Sequence, residues 1–193
     1  MRRETGWVMR ENDMASQIMV VSVDKIETSV LTQLCTALAR TFGRECRIGT
    51  PLPSPDYAYN PHRKQYVADP ILKRLHPGNS ERVLGVVDLD LYVPDLNFVF
   101  GLADRFGRRA VIALPRLRQS FCGGRDDETL FSARIVKEAV HELGHTYGLG
   151  HCRDRRRVMA FSNSLMDTDY KNQEFCPRCQ EQLGLRIARS ECL

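Results

Sequence analysis

The chain has 193 residues, 42% hydrophobic and 27% charged, with a formal net charge of +4. That balance belongs to a soluble globular protein, one domain long enough to bury about 70% of its unfolded surface. It lacks the strongly basic footprint of a nucleic-acid module, and no apolar run reaches the ~18–20 residues of a membrane helix.

Residues 1–16 are polar and charged, without the apolar core or cleavage site of a signal peptide. They are expected to be a flexible N-terminal segment on a cytoplasmic protein. Gln17–Val23, rich in Val and Ile, reads as a buried first strand. From Glu27 to Phe42, Val30, Leu31, Leu34, Leu38 and Phe42 recur at helical spacing, and Gly43 ends that helix. A second strand fits Glu45–Ile48. Pro51, Pro53, Pro55 and Pro61 then impose a stiff irregular loop. Val67–Leu75 reads as a second helix, and Arg82–Val93 as a third strand built on Val83-Leu84-Gly85-Val86-Val87. Asn97–Ala103 and Arg109–Leu114, parted by Arg105-Phe106-Gly107, read as an antiparallel hairpin.

Asp126 or Asp127 can cap the next helix, expected from Glu128 to Tyr147 with Phe131, Ile135, Val136, Ala139 and Leu143 toward the core. Its last turns carry His141-Glu142-Leu143-Gly144-His145, and the pattern continues as HExxHxxGxxH to His151. His141 and His145 lie one turn apart on one face and can grip a single Zn²⁺. Gly148 lets the backbone leave the helix, because glycine alone enters left-handed conformations without steric cost. The turn returns His151 as a third ligand. Three protein ligands leave the open position that a catalytic zinc needs. Glu142, beside the first ligand, is placed to act on a water rather than on the metal. His62 and His76 read as surface or loop residues.

From Cys152 to Asn172 the chain reads as irregular, and Phe175–Ile187 as a final short helix. Arg153, Arg155, Arg156 and Arg157 read as a solvated loop, with acidic-peptide or nucleic-acid contact the lesser alternative. Seven cysteines are an odd count for a secreted disulfide framework. In a reducing compartment clustered cysteines more often hold metal. Cys176-Pro-Arg-Cys179 has the spacing of a zinc knuckle; a redox pair is the alternative, without a thioredoxin-like βαβ unit around it. Cys35 and Cys46 read as inert core thiols.

The zinc motif followed at once by Cys152, then Met159, then Cys176-x-x-Cys179 resembles the archaemetzincins, a branch of the metzincin zinc peptidases. The family pattern runs HExxHxxGxxHCxxxxCxM, a spacer, then CxxC. The resemblance implies an α/β (α+β) fold: a mixed twisted sheet of about five strands with an active-site helix, and a small irregular C-terminal lobe. It implies one catalytic domain, with residues 17–148 as upper subdomain and 149–193 as lower. His141, His145 and His151 match the catalytic zinc ligands, and Glu142 the general base. Met159 matches the methionine of the turn beneath the zinc; Met166 lies seven residues too late. Cys152, Cys176 and Cys179 match three of the four thiolates of a second, structural zinc.

The chain departs from the pattern at Arg157, where the fourth thiolate should stand. A guanidinium cannot ligate zinc. Cys122, Cys192, His62, His76 and Asp154 remain as candidate substitutes. Phe161 stands where some metzincins carry a tyrosine that assists the oxyanion, and Tyr147 reads as a packing residue. The implied activity is hydrolysis of a peptide or protein substrate lying extended along an edge strand, with Asn97–Ala103 as the candidate edge. No nucleic-acid or membrane partner is expected. A zinc-binding or regulatory module with the same fold and little catalysis is the competing reading.

Overall fold

Val and Ile at successive positions commit Gln17–Val23 (β1) to a strand buried on both faces, as a central parallel strand should be. A computed structural model describes residues 16–190; apart from Ser16, the expected flexible N-terminus lies outside the described residues, as does Cys192. In chain order β1 is followed by helix Thr28–Phe42 (α1), Glu45–Ile48 (β2), Tyr59–Asn60 (β3), Gln65–Val67 (β4), Ala68–Arg74 (α2), Arg82–Val87 (β5) and Leu91–Tyr92 (β6). Then come Gly101–Asp104 (β7), Arg109–Ala113 (β8), the long helix Glu128–Thr146 (α3), Leu165–Tyr170 (α4) and Pro177–Ser190 (α5).

Five strands form a mixed sheet in the order β2-β1-β5-β8-β7, parallel except for β7, which runs antiparallel to β8 at the edge. Side chains alternate between its faces. Ile18, Val20, Leu84, Val86 and Ile112 meet Leu34 and Leu38 of α1 and Ile135, Ala139 and Leu143 of α3. Val21, Val23, Val83, Val87 and Val111 meet Ile71 and Leu72 of α2 on the other. A small second sheet, β3-β4-β6, lies beyond. Among the described residues no helix is long and apolar enough to cross a membrane.

The expected strand Arg82–Val93 breaks after Val87. Arg118 and Arg116 grip the carboxylates of Asp88 and Asp90 bidentately, so the alternating Asp-Leu-Asp-Leu turns out of the main sheet and β6 pairs with β4 instead. The expected strand Asn97–Ala103 is likewise shorter. Val99 donates its N–H to Leu91 O, which draws the chain away from the main sheet, and ladder pairing with β8 holds only from Gly101 to Asp104. The hairpin itself forms, closed by Asp104, which accepts from the N–H of Phe106 and Gly107.

The Asp127 carboxylate caps α3, accepting the Leu130 N–H at 3.0 Å, whereas Asp126 accepts from Ser120 N. The stretch expected to be irregular contains α4. Its signal was the pair Ser164 and Asp167: Ser164 Oγ accepts the Asp167 N–H and donates to the Asp167 carboxylate. Helix α5 starts at Pro177, two residues later than expected, because proline suits a first helical turn. Replacing Asp127 by Ala is expected to lower the unfolding free energy by about 1 kcal/mol. The check is a fall in urea midpoint at unchanged slope.

Candidate active site

Helix α3 is buried nearly all round, so its polar side chains face protein or the cleft rather than open water. His141 and His145 project from the same face. Gly148, at φ +83°, reverses the backbone, and His151 comes back toward them. One ring nitrogen from each of the three histidines falls within a 4.8 Å cluster. The Nε2 atoms of His141 and His145 are 3.1 Å apart.

The tautomers follow from the partners. His141 Nδ1 lies 2.8 Å from Val158 O, and His145 Nδ1 lies 2.8 Å from Leu149 O. A carbonyl only accepts, so each Nδ1 carries the proton and each Nε2 keeps its lone pair. Two lone pairs facing at that distance suit a shared cation. Burial pushes the His141 imidazole down to about 2 and also lowers His145 and His151; the Lys171 ammonium adds to all three. The rings are therefore neutral, the form that binds metal.

Met159 is fully buried and packs against α3 at Gly144. A Cβ on Gly144 would lie 2.5 Å from its Sδ, so the close approach needs glycine there. Met166 is 82% exposed and plays no such part. Tyr147 is buried and stacks on Phe42 with ring centroids 5.4 Å apart, the packing role expected of it. Phe161, exposed, lies against the His151 ring at 5.2 Å.

The Glu142 side chain packs on the edge strand: a Cβ on Gly101 would meet its Cγ at 2.5 Å. Burial pushes its carboxyl up to about 8, with Glu138 adding to the rise and Lys171 opposing it. A cleft of about 280 Å³ opens over these groups, lined by Phe98, Val99, Gly101, Leu102, Phe161 and Ser162 together with the histidines and Glu142. The outer edge of β7 runs along it, as does the extended stretch before β7.

Sequence reasoning missed a polar stripe on α3. Arg134 makes a bidentate pair with Asp169 at 2.7 Å. Lys137 donates to Thr168 O and Asp169 O. Glu138, 2% exposed, accepts from Thr168 Oγ1 and pairs with Lys171, 1% exposed, at 3.0 Å. The Lys171 Nζ is close to that oxygen but finds no well-aligned acceptor. The signal was there: positions 134, 137, 138 and 141 follow helical spacing with polar residues on one face.

The second cluster is equally compact. The Sγ atoms of Cys152, Cys176 and Cys179 lie within 4.8 Å of one another, Cys152 to Cys176 at 3.6 Å. The Cys179 N–H points at Cys176 Sγ and, with other donors, lowers that thiol. Burial pushes Cys179 up to about 12. Among the described residues Cys122, His62, His76 and Asp154 do not join the cluster. Arg157 instead pairs with Glu174 at 2.9 Å and with Asp154 at 3.5 Å, tying the loop after Cys152 to the segment before Cys176. Cys35 is in the core, as expected. Cys46 is only half-buried, because β2 is an edge strand.

Three converging neutral imidazoles beside a buried carboxylate, in a cleft flanked by a strand edge, define a metallopeptidase site. Comparison with known proteins agrees. The profile of Peptidase family M54 matches residues 52–185. The archaemetzincin of Methanocaldococcus jannaschii is 41% identical over 170 residues, which cover 88% of this chain and 94% of that protein. The crystal structure of archaemetzincin from Methanopyrus kandleri superposes with a TM-score of 0.80 at 38% identity, covering 94% of this chain and 99% of that one. That from Archaeoglobus fulgidus, complexed with malonate, gives 0.77 at 36%, covering 86% and 99%. The chain belongs to peptidase family M54, the archaemetzincins, and is a zinc metallopeptidase.

Glu142 gives this site a pH signature in the metal-free chain. A carboxyl raised from about 4.5 to about 8 favours the fold while protonated, and that stability is lost as pH rises through this window. Glu142→Gln removes the loss. Its stability advantage over the unsubstituted chain, measured by urea unfolding in chelator, is expected to grow between pH 5 and pH 8 by a few kcal/mol, at about 1.4 kcal/mol per pH unit. A Cβ on Gly101 would also meet Val111 O at 2.8 Å, so Gly101→Ala is expected to displace both the Glu142 side chain and the edge strand and to lower kcat/KM, read from steady-state peptide hydrolysis.

Proposed function

We propose that this chain hydrolyses peptide bonds with a zinc held by His141, His145 and His151 and with Glu142 as general base. The observation that carries the reading is the convergence of three ring nitrogens, two of them with lone pairs fixed inward by carbonyl partners, beside the buried Glu142. Bound there, zinc would acidify the attacking water and polarise the scissile carbonyl. Glu142 takes the water's proton and later delivers it to the leaving amine. Burial makes its carboxyl a receptive base near neutral pH. Gly101 holds it against the strand edge, close to where a substrate backbone would run. The substrate lies extended along the outer edge of β7, pairing through main-chain hydrogen bonds. The segment after His151, a metzincin-type lower subdomain below an upper one of residues 17–148, forms the opposite wall. The His141–Val158 O bond and the Arg134 and Lys137 contacts keep that wall in place.

Cys152, Cys176 and Cys179 hold a second, structural zinc in this reading. Tetrahedral zinc with bonds of ~2.3 Å sets its sulfurs about 3.8 Å apart, and the Cys152–Cys176 separation of 3.6 Å suits it. The Arg157–Glu174 pair links the same two segments that a fourth thiolate at position 157 would have joined through the metal. The unpaired cysteines among the described residues fit a reducing, cytoplasmic setting.

The test combines zinc content with turnover. The purified chain should carry about two zinc ions, and His145→Ala about one. Glu142→Gln should keep both while peptide hydrolysis falls by about 10²–10⁴-fold. Hydrolysis by Glu142→Gln at the unsubstituted rate would refute Glu142 as the base. Full zinc loading with no hydrolysis of any peptide would leave a zinc-binding module with this fold.

A further inference from the structure

Glu138 stands three residues before His141, one turn back along the same face of α3. It lines the cleft yet is almost wholly buried. Both its anchors, Thr168 Oγ1 and Lys171 Nζ, take Oε1 at 3.0 Å, which leaves Oε2 to the cleft. Close by in the sequence of the opposite wall, Ser162 also lines the cleft, and its Oγ is buried without a hydrogen-bond partner. Ser162 Oγ makes no protein hydrogen bond, so it is free to bond a ligand that enters the cleft. The remaining lining is mostly apolar: Leu96, Phe98, Val99, Leu102 and Phe161.

From this arrangement we infer a specificity pocket for a neutral substrate side chain with an apolar body and a hydrogen-bonding tip, tyrosine or glutamine. The inference rests on the peptidase reading for its substrate, a peptide. The tip donates to Glu138 Oε2 and meets Ser162 Oγ, while the body covers the apolar lining. Charge selects against the alternatives. Lys171 already neutralises the Glu138 carboxylate, so a lysine or arginine would face a buried ammonium behind it. An aspartate or glutamate would face the carboxylate. A phenylalanine or leucine would displace water from both polar groups and return nothing, the situation in which hydrogen-bonding sites discriminate most strongly. Glu138 and Ser162 are thus specificity-determining residues, with Lys171 as the positioning residue that holds Glu138 Oε1.

Zinc-loaded Glu142→Gln, which should bind without cleaving, is immobilised and offered a random octapeptide mixture, and the retained peptides are sequenced. Tyrosine and glutamine should be enriched at one position about tenfold over phenylalanine, leucine, lysine and glutamate. That enrichment should vanish when Ser162→Ala is added, and also when Glu138→Met is added together with Lys171→Met, which removes the acceptor and keeps the charge balanced. Should the double substitution unfold the chain, Ser162→Ala reads the same position alone. Equal enrichment of phenylalanine, a ranking unchanged in the variants, or no retained peptide overturns the pocket. Failure of the peptidase reading is separate: the unsubstituted chain would leave the retained peptides uncut while the ranking stood.

Discussion

Everything at this site hangs on the polar stripe along α3. Its sheet-facing side is apolar and packs under β5 and β8, which fixes the helix rigidly. Its other side presents Arg134, Lys137, Glu138 and His141 in register, and each takes hold of the C-terminal segment. A stripe of buried charges is costly unless every group is paired. Here the partners are the Asp169 carboxylate, the Thr168 hydroxyl, backbone carbonyls and the Lys171 ammonium, all from residues 158–171 apart from the Arg134 contacts to Leu117 and Gln119. The segment is thereby held in one orientation, which apolar packing alone would specify less sharply.

That orientation sets the chemistry. Val158 O, delivered by the segment, fixes the His141 tautomer. Met159, the next residue, fills the space that Gly144 leaves under the helix. Leu149 O does for His145 what Val158 O does for His141, after the Gly148 reversal. The same carbonyl-to-imidazole logic therefore operates once through a local turn and once through a contact 17 residues away. Glu142, on the same helix, is oriented differently, its side chain lying against Gly101 on the facing strand.

The cysteine cluster gathers at the far end of the same segment. Its thiols come from the residue directly after His151 and from the start of α5, so any metal there restrains the histidine turn as well. The Arg157–Glu174 pair and the bond from Val158 N to Glu174 O reinforce that corner. An ion pair with one partner largely in solvent is a weak strut compared with a metal–sulfur bond.

The histidine site was legible because its information is local. A helical period brings His141 and His145 together, and a glycine at position 148 supplies the reversal, so spacing alone specifies the geometry. Core strands and the amphipathic α1 were legible for the same reason, since periodicity reports burial. Where the sequence pattern misled, long-range contacts had intervened. Arg116 and Arg118 pulled Asp88 and Asp90 out of a continuous strand, and Leu91 drew Val99 away from the main sheet. Sequence by itself thus determined the cluster of three histidines, the place of Glu142 beside it and the fold class. Only tertiary structure decided which carbonyls fix the tautomers, that Arg157 joins Glu174, and that Lys171 comes home to Glu138. Those pairings depend on where the chain returns after many residues, and no local period encodes that.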